Sequence, residues 1–220
     1  MFPIKRNRRL RTNKSIRNMV KENYLSPHDL IVPLFIIEGT CVKQNIESMP
    51  DYFRYSIDLV EKEVKQLWSL GLRAVLLFTK IENSLKDNKG TEALNPDGLM
   101  QRAIAAIKNS VPEMVVISDI ALDPYSSYGH DGIVENGKII NDATVDVLKR
   151  MAISHAKFGA DIVAPSDMMD GRIFGIRKAL EEESFYDTGI MSYSCKYTSS
   201  LYGPFRNALD SSPGFGDKKT

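Results

Sequence analysis

The chain has 220 residues, of which 43% are hydrophobic and 26% charged, with a formal net charge of +1. That is ordinary globular composition, and the near-neutral charge gives no global case for nucleic acid or an acidic partner. No apolar run approaches the roughly 20 residues of a membrane span. The N-terminal charges are not followed by the apolar segment of a secretory signal. Two cysteines, Cys41 and Cys195, form neither a metal spacing nor a disulfide framework, so a reducing cytoplasm is the expected setting.

From Lys5 to Lys21 there are eight basic residues and no acid. The bases are interrupted by Leu10, Ile16, Met19 and Val20. Residues 1–24 therefore read as an N-terminal arm. It could bind nucleic acid, target an organelle, lie against another subunit, or be a solvated tail. The spaced apolar residues favour packing on another subunit.

Beyond the arm, apolar runs alternate with helical patterns. Leu30 to Ile37 reads as a buried strand, and Pro33, lacking an N–H, requires an edge, a bulge or an early end there. Ile57, Val60, Val64, Leu67 and Trp68 recur at helical spacing, and Gly71 closes that helix. Ala74 to Phe78 is the next strand. Asn95-Pro96 is placed to cap a helix whose apolar face holds Leu99, Ala103, Ile104 and Ile107. Val115 to Ile120 is the third strand. Asn136-Gly137 between Val134-Glu135 and Lys138-Ile139 is a hairpin signal, since both central positions take positive φ. A helix starts at Asp142 and runs to Gly159. Asp161 to Pro165 is the fourth strand, with Ser166-Asp167 placed to cap a helix reaching about Glu183. Gly189 to Ser194 is the fifth strand, and Ser211 to Thr220 reads as a loop.

Strands alternating with helices imply parallel βαβ units. An open doubly wound sheet accommodates five strands, whereas a barrel needs eight, in about 250 residues. No glycine fingerprint for phosphate follows the first strand, which weakens a dinucleotide-binding version.

The chemistry gathers at strand ends. One run ends at Asp119, another at Ser166, and the fifth leads through Ser192-Tyr193-Ser194-Cys195 to Lys196. A lysine among desolvating aromatics is a candidate imine-forming nucleophile, because burial favours its neutral amine. Asp119, Asp123, His130 and Asp131 fall within thirteen residues. Taken alone, that cluster suits a hard cation such as Mg²⁺, or is a turn rich in capping acids.

These motifs, in order, resemble the 5-aminolevulinate dehydratase (porphobilinogen synthase) family. The resemblance rests on Arg8-Arg9-Leu10-Arg11, on Asn95-Pro96-Asp97-Gly98-Leu99, and on the segment from Asp119 to Gly132. It continues through Ala164 to Arg172, Met191 to Lys196, Tyr202-Gly203-Pro204-Phe205-Arg206 and Gly216-Asp217-Lys218-Lys219. It implies an α/β fold, a (β/α)₈ TIM barrel with an N-terminal arm, of which about five βα units lie in this chain (residues 25–220). It implies condensation of two 5-aminolevulinate molecules to porphobilinogen through lysine imines, for tetrapyrrole (heme) synthesis. Lys196 matches one imine lysine, and the second lies beyond Thr220. Arg206 and Lys218 match carboxylate-binding positions. Asp119, Ser166 and Asp167 orient amines and relay protons, while Tyr202 and Phe205 wall the pocket. The zinc-dependent branch carries cysteines at the positions of Ala121, Asp123 and Asp131. Their absence here excludes a thiolate zinc site and leaves Asp123 and Asp131 as a weak cation or amine site. Mg²⁺ is expected as an allosteric ion with ligands beyond Thr220, and a homo-octamer as the assembly. The alternative is a non-catalytic fragment or degenerate relative that lacks the second imine lysine.

Overall fold

The computed structural model describes residues 4–197, 199, 200 and 202–211. After a 3₁₀ turn at Asn7–Arg11 comes a short helix (α1, Lys14–Met19), capped by the Asn13 side chain, which accepts from the Ile16 N–H at 2.9 Å. Neither element buries a residue.

The body is built on five parallel strands: β1 (Ile31–Ile36), β4 (Ala74–Thr79), β5 (Val115–Ile120), β8 (Ile162–Pro165) and β9 (Gly189–Ile190). They lie side by side in chain order, with no reversal. A doubly wound sheet reverses its strand order near the middle, and a barrel does not. The unreversed order is therefore that of an α/β barrel, five units of it here. Two short strands extend the β1 edge: β3 (Phe53–Tyr55), parallel to β1, and β2 (Lys43–Asn45), antiparallel to β3. The sequence reading did not anticipate them, because each is three residues long and carries no periodic signal.

The strand periodicity sorts two cores. Leu34 and Ile36, Val75 and Leu77, and Val116 and Ile120 point outward onto α2 (Ile57–Ser69), α3 (Leu99–Ser110), α4 (Asn141–Lys157) and α5 (Arg172–Glu182). Their alternates Phe35, Leu76 and Phe78 point inward. There they meet α6 (Tyr202–Leu209) through Phe205, Ala208 and Leu209. Nothing in the local sequence signalled α6, which begins with Tyr-Gly-Pro and is stabilised by this inner cluster.

Pro33 is accommodated as its chemistry requires. β3 pairs with β1 only at Phe35 and Ile36, so no strand faces Pro33 on that side. The Pro33 carbonyl instead accepts the Tyr52 hydroxyl at 2.8 Å. The hairpin β6 (Val134–Glu135) and β7 (Lys138–Ile139) forms as expected, with φ of 51° at Asn136 and 72° at Gly137.

Two helix starts were misassigned. Asn95 does not cap α3: its side chain accepts from the Asp97 N–H at 2.9 Å in a local turn, and Gly98 is the N-cap. The Asp-Gly after the proline makes that turn more favourable than an immediate helix. Likewise Ser166-Asp167 do not cap α5, whose N-cap is Gly171 with φ 74°. Asp167 accepts from the Met169 N–H at 2.8 Å, and the Ser166 hydroxyl is directed to Asp119. The fifth strand is also shorter than Gly189 to Ser194, although Met191 and Tyr193 still donate to Val163 and Pro165.

His155 on α4 is fully buried, with Nδ1 hydrogen-bonded to Ser118 Oγ at 2.9 Å. Burial pushes its pKa down to about 3, against 6.5 for a solvated imidazole. Between those two values the unfolded chain binds a proton that the folded chain does not. Stability should therefore fall as pH drops through this window. Urea midpoints of wild type and His155→Gln at pH 7 and 5 test it. The variant should lose roughly 1–3 kcal/mol at pH 7 from the broken bond, yet show the weaker pH dependence. Parallel pH curves would refute the assignment.

Candidate active site

The carboxyl ends of β5, β8 and β9 open onto a cavity of about 230 Å³. Its walls include Asp119 at the end of β5, Ser166 just past β8, and Lys196 in the turn after β9. Helix α6 supplies Tyr202, Phe205 and Arg206. Asp123, from the loop after β5, also reaches it. Seven of the residues singled out from sequence thus converge, although they span 88 positions (119 to 206) along the chain.

Asp131 and Asp167 are not in the wall but directly behind it, 2% and 1% exposed. Asp131 Oδ2 stands 3.9 Å from Lys196 Nζ. Asp167 Oδ2 stands 3.1 Å from Arg172 Nε. Close packing brings the Asp131 loop inward: a Cβ on Gly132 would meet Ile139 Cγ2 at 2.7 Å and Thr144 Oγ1 at 2.8 Å, so only glycine fits there. Lys218 lies outside the described residues. Phe78, Tyr193 and Tyr197 also line the cavity; Phe78 reads as an ordinary strand residue, whereas Tyr193 and Tyr197 are aromatics that flank Lys196 in the sequence.

The cavity is partly apolar, yet its charges interlock. Lys196 Nζ donates to the Ser166 carbonyl at 2.5 Å, and the Ser166 hydroxyl donates to Asp119 Oδ1 at 2.6 Å. Burial, reinforced by the charge of Asp123, pushes the Asp119 carboxyl up to about 8, against the pull of Ser166 and Lys196. Burial likewise raises Asp167 to about 6, opposed by the Met169 N–H and Arg172. Burial alone would favour the neutral amine of Lys196, as its sequence context suggests. Asp131, Tyr202, Asp123 and Asp119 more than offset that, and the net shift is upward. Within these residues, then, the acid neighbours of Lys196 favour its ammonium, opposite in direction to the effect of burial.

Among the described residues, no three or more His, Cys, Asp or Glu side chains are grouped so as to hold a metal ion. The two ion pairs, Asp131 with Lys196 and Asp167 with Arg172, set these carboxylates against cationic side chains. The arrangement fits an amine and a carboxylate better than a metal.

The unfolded Asp119 carboxyl ionises near 3.8 and the folded one near 8. Between these values the folded chain keeps a proton that the unfolded chain has lost, so the contribution of Asp119 to stability falls as pH rises. Asp119→Asn should gain on wild type from about pH 4 to about pH 8 and level off above. Denaturant midpoints across pH measure this, and a difference independent of pH would mean that Asp119 is ionised throughout.

The chain matches the Delta-aminolevulinic acid dehydratase family over residues 4–220. It is 50% identical over 215 residues to the Delta-aminolevulinic acid dehydratase of Chlamydia pneumoniae, covering 98% of this chain and 65% of that one. To the Bacillus subtilis protein of the same name it is 49% identical over 215 residues, covering 98% and 66%. It also superposes, with a TM-score of 0.94 and 48% identity, on the crystal structure of delta-aminolevulinic acid dehydratase (porphobilinogen synthase) from Toxoplasma gondii in complex with the reaction product porphobilinogen, covering 99% of this chain and 62% of that one. The chain thus spans about two-thirds of the length of these relatives. With its strand order, its strand-end lysine and these likenesses in agreement, the chain belongs to the delta-aminolevulinic acid dehydratase family.

Proposed function

We propose that this chain carries the Lys196 half of a porphobilinogen synthase site, which condenses two 5-aminolevulinate molecules to porphobilinogen with loss of water. The observation that carries the reading is the convergence of Lys196, Asp119, Ser166 and Arg206 on one cavity at the carboxyl edge of the sheet. A keto acid needs a cation for its carboxylate and an amine for its carbonyl, and the cavity offers both. Arg206 is the carboxylate partner, with its guanidinium over the Tyr202 ring at 4.7 Å. Lys218 is proposed as a further cation for the carboxylate.

The charges suggest how Lys196 becomes nucleophilic. Its ammonium is stabilised chiefly by the charge of Asp131, with that of Asp123; Asp119 adds to it only above about pH 8, where it ionises. A substrate ammonium seated against Asp123, in front of Asp131, competes for the same negative charge. Lys196 then loses its electrostatic support while burial continues to disfavour its charge, and the amine is released. Its nitrogen adds to the keto carbon, and water leaves as the imine forms. Asp119, protonated up to about pH 8, is the group suited to give the departing hydroxyl its proton, with Ser166 as the bridge. The imine draws electrons from the neighbouring carbon, which loses a proton and attacks the second carbonyl. Asp167 is paired with Arg172 behind the wall.

Tight zinc in the active site is not expected, because carboxylates are hard ligands and suit Mg²⁺. Mg²⁺ is proposed to act outside these residues, through ligands beyond Thr220. The arm is proposed to pack on another copy in a homo-oligomer, an octamer in the family pattern: Leu10, Met19, Val20, Tyr24 and Leu25 are all exposed. The cytoplasm is the proposed compartment. A non-catalytic relative is the rival reading.

Incubation with 5-aminolevulinate, reduction with borohydride and peptide mapping should place the mass addition on Lys196. Lys196→Ala should lose essentially all porphobilinogen formation. Activity surviving that substitution, with no adduct at Lys196 in wild type, would overturn the Lys196 assignment, whereas a wild type that forms neither adduct nor porphobilinogen would favour the rival. Metal analysis of the purified protein should find no stoichiometric zinc, and chelated protein should regain activity with Mg²⁺. Recovery with Zn²⁺ alone would overturn the metal assignment.

A further inference from the structure

Arg54 does not line the cavity, yet it joins the sheet to the helix that does. It lies in β3 and is 8% exposed. Its Nε donates to the Ala208 carbonyl at 2.6 Å, and a terminal nitrogen donates to the Asn207 carbonyl. The other terminal nitrogen donates to Gln44 Oε1 at 2.8 Å, on the edge strand β2. All three arms of the guanidinium are thus engaged, two of them on the last turn of α6.

The end of α6 explains why an arginine is there. Asp210 adopts φ 55°, and the Ser211 N–H returns to the Arg206 carbonyl at 3.3 Å, the closure of a Schellman motif. The carbonyls of Asn207 and Ala208 remain, turned toward the sheet. Orphan carbonyls at a helix end need donors, and the partial negative charge there favours a cation. Arg54 supplies both. Asp210 is tied separately, by Lys80 at 3.6 Å and by Lys86 donating to its carbonyl at 3.0 Å. The same short helix carries Tyr202, Phe205 and Arg206 into the cavity. A shift of its last turn moves Arg206, which immediately precedes the anchored Asn207.

We infer that Arg54 is a positioning residue of the substrate site: by holding the last carbonyls of α6 against β3, it keeps Arg206 facing Lys196. The inference rests on the proposed role of Arg206 as the carboxylate partner and of Lys196 as the imine lysine.

The test compares two carbonyl probes trapped on Lys196 by borohydride, levulinate with a carboxylate and acetone without one. Arg54→Met should raise the levulinate concentration for half-maximal trapping about tenfold, the loss expected of one well-placed charged hydrogen bond. The acetone requirement should stay within about twofold, and Arg54→Lys should restore part of the levulinate affinity. Gln44 is exposed, so Gln44→Leu should fold even if Arg54→Met does not. It should shift levulinate in the same direction by a smaller factor. Trypsin cleavage after Arg206 should also accelerate in Arg54→Met. Unchanged levulinate affinity in the folded variants, or equal weakening of both probes, would overturn the inference while leaving the imine reading intact. If wild type traps neither probe on Lys196, the imine reading fails, and the cleavage rate alone decides whether Arg54 anchors α6.

Discussion

Asp119 faces Ala164 and Ile120 faces Pro165 across β5 and β8, and the Tyr193 N–H still reaches the Pro165 carbonyl beyond the end of β9. This parallel register is the constraint on which the site depends. Three strands running the same way bring their carboxyl ends to one edge, so a carboxyl, a hydroxyl and an amine from distant positions arrive together. Had β8 slipped by one residue, Ser166 would have turned to the helical side and lost Asp119. The outer helices enforce the register by burying Val116, Ile120 and Val163 against α3, α4 and α5.

Placing several acids and a lysine in one partly dry region is costly unless they compensate one another. Here they do so in graded fashion. Lys196 shares its charge with Asp131 and its hydrogen bond with the Ser166 backbone, and Arg172 stands against Asp167. Asp119, buried like Asp131 and Asp167, stays protonated up to about pH 8. The acids and bases of the site thus largely balance one another.

The inner face of the sheet shows a second dependence. Phe205 packs against Phe78 with centroids 4.8 Å apart and against Phe35 at 5.9 Å, in edge-to-face geometry. Such contacts fix both position and orientation of an aromatic ring. Together with the arginine at its far end, they hold a helix of only eight residues, a length that is marginal in isolation. The wall of the cavity is therefore a product of tertiary packing.

The legible parts of this protein were those with a local period or a long ordered motif. The alternation of apolar runs and helical faces located the five parallel strands and four outer helices to within a few residues, and Asn136-Gly137 located the hairpin. The strand-end residues Asp119, Ser166 and Lys196 stood out because a buried strand must surface somewhere, and polar residues mark the place. Helix starts at Asn95 and Ser166 were misread because capping residues also make turns, and only the following backbone decides between the two. β2 and β3 are invisible because three residues carry no periodic signal, and α6 because it is stabilised by partners distant in the chain. The charge balance at Lys196 is illegible for the same reason: its sequence context shows aromatic neighbours, whereas Asp131, the carboxylate 3.9 Å away, lies 65 residues earlier (131 to 196). By itself the sequence determined the alternating units and the residue types at the strand ends, since those follow from local periodicity. Only the tertiary structure decided strand order, the seat of α6 and the protonation of the site, since each depends on groups that are adjacent in space and far apart along the chain.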